Sequence, residues 1–219
     1  MQAREIPRPL IARLGLNRRL FLGLAGGAFV FTAVCRPCGV RAQPAPASAT
    51  AFVKSTGDRL VAVINAPGAI QEKRPQLAQI IEGAVDVDGV AKFCLGRFWR
   101  NATPEQQKQY TLLFHSVLVN NITGKLGEYQ GVAFSVLQAQ PREETTIVAT
   151  LVERAANPPS KVEWVISDES GSPRVVDVIA EGTSLRLTQR SDYAAFLSHN
   201  ANNIQALIDA MRQQIASNS

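Results

Sequence analysis

Apolar residues recur every three or four positions between residues 52 and 94, and this spacing predicts three helices. Pro67-Gly68 ends the first helix, Pro75 fits the first turn of the second, and Asp88 is placed to cap the third. The apolar positions of the three helices are, in order, Phe52, Leu60, Val63 and Ile64; Leu77, Ile80, Ile81 and Val85; and Val90, Phe93 and Cys94.

The clearest helix begins at Thr103. The sequence Thr103-Pro104-Glu105-Gln106 is typical of a capping box with proline at the first helical position. The pattern predicts a helix to about Leu126, before a turn at Tyr129-Gln130-Gly131. Its apolar stripe consists of Tyr110, Leu113, Phe114, Val117, Leu118 and Ile122.

After residue 131 the apolar positions alternate and β-branched residues become frequent, which predicts strands. Turn residues at Pro141, at 157–159 and at 170–173 separate them, and two further helical patterns cover 191–200 and 204–215. The predicted fold is α+β, an antiparallel four- to five-stranded meander sheet packed against several helices. The predicted strands are 132–136, Thr145–Val152, Val162–Ile166 and Val175–Ala180.

The N-terminal segment has a different character. Arg18-Arg19-Leu20-Phe21-Leu22 precedes an apolar stretch that ends near Val34, and Val40-Arg41-Ala42 follows. This arrangement predicts a twin-arginine export signal over residues 1–42, cleaved after Ala42. The stretch is shorter than the roughly 20 residues that span a bilayer, and an uncleaved anchor is the alternative. Residues 43–50 are predicted to be a flexible leader and 51–217 a single domain.

Removal of the signal changes the charge and the cysteine content. Residues 1–42 hold seven of the 23 basic and one of the 18 acidic residues, so 16 basic and 17 acidic residues remain. A nearly neutral chain does not favour nucleic acid as a partner. Cys35 and Cys38 leave with the signal, which excludes an internal disulfide. Cys94 stands between Phe93 and Leu95 and is predicted to be a small buried apolar residue.

Catalytic and metal-binding motifs are not apparent. His115 and His199 are far apart and belong to no recognisable motif. Helix capping accounts for Asp86 and Asp88, and a hairpin turn for the pair at 143–144. The sequence therefore predicts neither an enzyme nor a metal site.

The strands supply an apolar face that helices must cover, and we place eight residues on it. Helices that fill the space would make an ordinary core, whereas helices that stand away would leave an elongated apolar cavity. Periodicity reports burial and not cavity volume, so both interpretations stay open at this point. The eight residues are Phe134, Val136, Ile147, Ala149, Leu151, Val162, Trp164 and Ile166.

Two segments resemble a known family. The sequence at 95–107, Leu-Gly-Arg-Phe-Trp-Arg-Asn-Ala-Thr-Pro-Glu-Gln-Gln, is similar to a motif of the MlaC, or toluene-tolerance, family. The sequence at 177–185, followed by Arg190-Ser191-Asp192-Tyr193, resembles that family's Asp-Val-x-x-Glu-Gly-x-Ser-Leu and its downstream Arg-Ser-x-aromatic. The resemblance covers roughly 52–215, with a departure at Ser172-Pro173-Arg174, where family members often have an aromatic residue.

The resemblance implies a monomeric periplasmic carrier without enzymatic activity or cofactor. Such carriers move a phospholipid between an outer-membrane lipoprotein complex and an inner-membrane ABC transporter, with the acyl chains in a deep apolar pocket. The twin-arginine signal and the Leu-Gly-Arg-Phe-Trp-Arg sequence also resemble a hopanoid-associated branch, so a polycyclic lipid is an alternative cargo. A non-catalytic adaptor with a filled core and an enzyme on a related cone-shaped sheet are the remaining alternatives.

The carrier interpretation assigns roles to two groups of residues. The acyl-pocket candidates are Phe98, Trp99, Leu113, Val117, Phe134, Val136, Ile147, Ala149, Leu151, Val162, Trp164, Val176 and Val178. The candidates for contact with a headgroup, or for ion pairs inside the fold, are Arg97, Arg100, Asp177, Glu181 and Arg190. Arg97 and Arg100 are expected to pair with Asp177 or Glu181, and Arg190 with Glu181, unless these arginines meet a phosphate.

Overall fold

The computed structural model describes residues 45–125, 131–154 and 157–217. The predicted export signal and its cleavage site lie outside the described residues. The helices are α1 (Pro46–Asn65), α2 (Ile70–Ala84), α3 (Val87–Leu95), a 3₁₀ helix (Gly96–Asn101), α4 (Pro104–Lys125), α5 (Leu185–His199) and α6 (Ile204–Ser217). The strands are β1 (Ala133–Arg142), β2 (Thr145–Arg154), β3 (Asn157–Ser167), β4 (Arg174–Ala180) and β5 (Thr183–Ser184).

The sheet is an antiparallel meander in which the strands lie in sequence order, β1 to β5. This confirms the predicted α+β class. In the described ranges no helix combines the length and the apolar character that a membrane span requires.

The first helix begins earlier than the sequence indicated. Helix α1 starts at Pro46, so the prediction of a flexible leader is wrong for residues 46–50. The reason is tertiary packing, because the Ala49 side chain is fully buried against the sheet with Val53. Proline at the first helical position also suits this start.

The junction between α1 and α2 is held by polar groups. The buried Lys73 side chain donates to the carbonyl oxygens of Ile64, at 2.9 Å, and of Ala66. These are carbonyls that the end of α1 would leave unpaired, so Lys73 acts as a C-terminal cap. Pro75 lies in the second turn of α2 and not in its first, because α2 begins at Ile70.

The caps of α3 and α4 differ in how well the sequence predicted them. Both halves of the capping box before α4 form, since the Thr103 amide donates to Gln106 Oε1 at 3.1 Å and the Gln106 amide donates to Thr103 Oγ1 at 3.2 Å. The cap of α3 is Asp86, which accepts from the Gly89 amide, so the prediction of Asp88 is wrong. Asp88 instead lies 2.9 Å from His115 Nε2 on α4.

Helix α5 starts at Leu185, six residues before the predicted start at Ser191. Ser184 ends β5 and also caps α5, because its Oγ accepts from the Leu187 amide at 3.2 Å. The turn between β4 and β5 places Glu181 and Gly182 in the left-handed region, with φ of 51° and 80°. Two left-handed residues in a two-residue hairpin make a tight reversal that leads the chain directly into α5.

Candidate functional site

Both faces of the sheet carry apolar side chains, since Ala149 and Val165 are buried on one side and Val148 and Ile166 on the other. The side that packs against α1, with Val148 and Ile166, is here called the inner face. The strand registers pair Phe134 with Val152, Val148 with Trp164, and Trp164 with Val178, which places these side chains on the same side. The inner face comprises Phe134, Val136 and Ala139 on β1; Val148, Thr150 and Val152 on β2; Val162, Trp164 and Ile166 on β3; and Val175, Val178 and Ala180 on β4.

Helices cover the inner face unevenly. Helix α1 packs across β1 and β2 on this face, and α3 reaches β4. Helix α5 meets β4 at Asp177, which the register places on the opposite face. Among the described elements, no helix packs closely along β3, and α4 packs against α2, α3 and α6. As a result Val162, Trp164, Val178 and Ala180 are only half-buried.

The apolar interior is divided. One cluster joins α3, α4, α5 and α6 around Tyr110 and Leu197, and another joins α1 to the inner face around Val53 and Val148. In the described part of the chain, Val85 alone packs against both clusters. A third, smaller cluster joins α1 and α2 around Ile64 and Leu77. Domains usually have one contiguous cluster with small satellites, and a division of this kind is what an apolar space in the interior would produce.

Two polar groups near the centre of the inner face, the Thr150 hydroxyl and the Trp164 indole N–H, are satisfied within the sheet. The Thr150 hydroxyl is fully buried and donates to the Val162 carbonyl oxygen at 2.9 Å. The same hydroxyl accepts from Trp164 Nε1 at 3.0 Å. Because these groups are paired, the exposed part of the face presents hydrocarbon and aromatic surface. Such a surface can hold an apolar ligand.

Helix α1 approaches the sheet closely at Gly57. A Cβ atom on Gly57 would lie within 3.0 Å of three ring atoms of Phe134. The ring therefore occupies the space that a side chain would need, and Phe134 packs against the helix backbone.

Substitution of Gly57 tests this contact. We expect Gly57→Ala to destabilise the protein by about 1–3 kcal/mol, because overpacking displaces the Phe134 ring. Gly83→Ala is the matched control, since a Cβ on Gly83 in α2 meets nothing within 4 Å. The control should gain about 0.5–1 kcal/mol from helix propensity. Denaturant unfolding measures both, and equal effects at the two sites would refute the close contact.

The predicted acyl-pocket residues are divided by the structure. The inner face holds Phe134, Val136, Val162, Trp164 and Val178, as expected. The prediction that Ile147, Ala149 and Leu151 share this face is wrong. They alternate with Val148 and Thr150 and point to the opposite side, because neighbouring residues of a strand face opposite ways.

The remaining pocket candidates lie elsewhere. Phe98 and Val117 are buried in the helical cluster, and Trp99 and Leu113 pack against it half-buried. Val176 lies where the register between β3 and β4 shifts. The structure thus groups five of the thirteen candidates on the inner face.

The carboxylate of Asp177 joins β4 to the start of α5. Its Oδ1 accepts from the amides of Val178, at 2.8 Å, and Arg186, at 3.1 Å. Its Oδ2 accepts from Ser184 Oγ at 2.6 Å and lies 3.4 Å from Arg186 Nε. Asp177 is buried, and this network explains why the Asp and Ser of the motif occur together.

The predicted ion pairs of the headgroup candidates are wrong. Asp177 pairs with Arg186, a residue that the sequence analysis did not consider. The signal for this pair was the Ser184 cap, because α5 starts directly after it and so places Arg186 beside Asp177. In the described ranges, no ion pair joins Glu181 to an arginine. Arg97 lies over the Phe98 ring, 4.8 Å from its centroid, and Arg100 is exposed.

The helical cluster has an aromatic centre. Tyr110 is fully buried and donates its hydroxyl to the Ala91 carbonyl oxygen at 2.9 Å. Its ring contacts those of Trp99, Phe114 and Tyr193 at centroid distances of 5.9–6.4 Å. Burial raises the pKa values of Tyr110 and Tyr193 far above the ordinary range. Both therefore act as neutral packing residues.

Cys94 is buried as predicted, with Sγ 3.6 Å from the Arg186 carbonyl oxygen. Burial raises the pKa of its thiol from 9.0 to about 12. Because the thiol is protonated in the folded state, we expect negligible alkylation of native Cys94 at pH 8 and full alkylation in denaturant. The stability contribution of this raised pKa is present below pH 9 and is lost as the pH rises towards 12. Rapid alkylation of the native protein at pH 8 would show that the thiol is accessible.

A polar cleft of about 270 Å³ lies where the α2–α3 junction meets α4 and the β3–β4 turn. Among the described residues, no group of three or more histidine, cysteine or acidic side chains is arranged to hold a metal ion. The cleft is lined by Glu82, Val85, Asp86, Val87, Asp88, His115, Ser170, Ser172 and Arg174.

Comparison with known proteins identifies the family. The sequence model of the MlaC protein family matches residues 54–213, which include the whole sheet and its inner face. The chain belongs to the MlaC family. This confirms the resemblance seen in the two sequence motifs.

Two known proteins are similar to this chain, one in sequence and one in fold. The chain is 25% identical over 145 residues to toluene tolerance protein Ttg2D of Pseudomonas putida. The aligned region covers 64% of this chain and 66%, just under two thirds, of Ttg2D. The fold matches the structure of a phospholipid-binding protein from Ralstonia solanacearum in complex with a phospholipid. The TM-score is 0.69 at 22% identity, over 78% of this chain and 98% of that one.

Proposed function

We propose that this protein is a lipid carrier that holds the acyl chains of a phospholipid against the inner face of its sheet. The observation that carries the proposal is the half-buried apolar surface around Val162 and Trp164, which no described helix covers closely. Membership of the MlaC family supports it, and the solved relative of the same fold was described in complex with a phospholipid.

The energetics of lipid transfer explain what such a site must supply. Exposure of an acyl chain to water is unfavourable by roughly 0.8 kcal/mol per CH₂ group. Two chains of about 16 carbons would cross an aqueous space at a cost on the order of 20 kcal/mol. A carrier therefore needs apolar surface with its polar groups satisfied, as found at Thr150 and Trp164. The proposed function needs no catalytic residue, and we propose a carrier and not an enzyme.

The proposed setting is the periplasm. The twin-arginine segment over 1–42 supports export, and the family relationship supports a monomeric shuttle between an outer-membrane lipoprotein complex and an inner-membrane ABC transporter. Arg97, Arg100 and Arg190 remain the proposed contacts for a phosphate headgroup. A hopanoid is the alternative cargo, and identification of the bound lipid distinguishes the two.

Native mass spectrometry of the purified protein, followed by lipid extraction, tests the proposal. We expect a stoichiometric adduct with the mass of a glycerophospholipid, whose fragments identify the cargo. An adduct of triterpenoid mass would identify the cargo as a hopanoid and not a phospholipid. A protein that is free of lipid, and stays so after incubation with liposomes, would contradict the carrier function.

A further inference from the structure

Four arginines on two elements line up in pairs. Arg97 and Arg100 are three residues apart on the 3₁₀ helix, where that spacing places side chains one above the other. Arg186 and Arg190 are four residues apart on α5 and share one side of that helix. Both guanidinium groups of α5 lie over the ring of Phe93, at 4.5 and 4.9 Å from its centroid.

Gly96 brings the two pairs together. Arg190 packs against this glycine so closely that a Cβ atom there would lie 3.1 Å from Arg190 Nε. Gly96 has a φ of 58°, which a glycine adopts easily, and it immediately precedes Arg97. Arg190 of α5 therefore lies at the start of the 3₁₀ helix that carries Arg97 and Arg100.

Acidic side chains balance these arginines only in part. Asp177 is the partner of Arg186. Within the described part of the chain, no carboxylate lies within ion-pair distance of Arg97, Arg100 or Arg190. Asp192 follows Arg190 by two residues, about 200° around α5, so it faces away from the arginines.

An exposed leucine lies beside these arginines. Leu187 precedes Arg190 by three residues, so the two side chains share one side of α5, and Leu187 is 56% exposed. Leu185 is two residues before Leu187, about 200° around the helix, and faces away. Leu187 is one of four large apolar side chains that are exposed in the described residues, with Leu112, Leu137 and Leu185. An exposed leucine beside unpaired arginines is typical of segments that lie on an anionic membrane, where cations meet phosphates and leucine enters the acyl boundary.

We propose that this arginine–leucine surface, formed by Arg97, Arg100, Leu187 and Arg190, docks on a bilayer that contains anionic phospholipid. The inference rests on the proposed carrier function, because the complexes with which such a carrier exchanges lipid lie in membranes. The exposed leucine favours a bilayer over an acidic protein, since hydrocarbon accepts an apolar side chain without a matching pocket.

Co-sedimentation with vesicles tests the docking surface. We expect binding to vesicles of phosphatidylcholine and phosphatidylglycerol, little binding to phosphatidylcholine alone, and weaker binding at high salt. The double variant Arg97→Glu/Arg100→Glu should bind on the order of tenfold more weakly or worse. The matched control Arg59→Glu/Arg142→Glu makes the same charge change at exposed positions on α1 and β1 and should bind as the parent does.

Leu187 provides a second, independent comparison. Leu187→Ser should weaken vesicle binding several-fold and leave bound lipid and thermal stability unchanged. Leu112→Ser removes an equally exposed leucine from α4, 62% exposed, and should have no effect on vesicle binding. The comparison of Leu187→Ser with Leu112→Ser tests the docking surface if Arg97→Glu/Arg100→Glu proves unstable.

The outcomes separate this inference from the proposed function. Lipid-loaded protein that does not bind anionic vesicles would overturn the docking surface and leave the carrier function standing. Retention on immobilised polyglutamate without vesicle binding would also overturn it and assign the surface to an acidic protein. Vesicle binding that Arg97→Glu/Arg100→Glu abolishes, in a protein that never carries lipid, would support the surface and contradict the carrier function.

Discussion

Replacement of Val162 by aspartate is expected to empty the protein of lipid while leaving it folded. Val162 lies on the inner face of β3, half-buried, where no described helix packs closely. An ionised carboxylate beside acyl chains costs several kcal/mol, whereas in the lipid-free protein it can face water. Since each 1.4 kcal/mol is a factor of ten, lipid occupancy in native mass spectra should fall by more than tenfold.

Ile147→Asp is the matched control for Val162→Asp. Ile147 is also half-buried and was an equal candidate from sequence, but the register places it on the opposite face, paired with Val165. Its variant should keep the lipid of the parent protein. Loss of lipid from Ile147→Asp but not from Val162→Asp would place the acyl chains on the other side of the sheet.

Replacement of Asp177 by alanine is expected to lower stability by about 3 kcal/mol. The change removes the acceptor of the Ser184 hydroxyl and of two amides, and it leaves the partly buried Arg186 without its counter-charge. For a domain of this size, the loss corresponds to a fall in melting temperature of roughly 6–12 °C. Thermal unfolding followed by circular dichroism measures it.

Asp192→Ala separates this network from a general effect of charge on α5. Asp192 is exposed on the same helix and accepts no hydrogen bond from a described residue, so its removal should not change the melting temperature. Equal melting temperatures for Asp177→Ala and the parent protein would refute a structural role for the motif carboxylate. It would then be free to contribute to a headgroup site.

Much of the fold was predictable from sequence because it depends on local signals. The capping box at Thr103 and the alternation in β2 and β4 predicted elements that the structure confirms. Several of the predictions that proved wrong depended on distant contacts. Helix α1 begins at Pro46 because Ala49 packs on the sheet, and this contact has no signature within the segment itself.

The site was predictable only in part, for the same reason. Alternation shows that Val162 and Ile147 each belong to an apolar face of their strand, but it does not show whether the two residues lie on the same face of the sheet. A shift of one residue in strand pairing exchanges the faces, and the irregularity between Val136 and Gln138 is one point where the observed register departs from simple counting. The partner of Asp177 likewise depends on the tight β4–β5 turn, which places Arg186 beside the carboxylate.

The sequence by itself determined the types of element, the α+β class and the family, because periodicity, caps and motifs act over a few neighbouring residues. Only the tertiary structure decided which apolar residues share the inner face, that the buried apolar residues form separate clusters, and which arginine meets Asp177. These features arise from strand register and from contacts between elements, which no local pattern encodes.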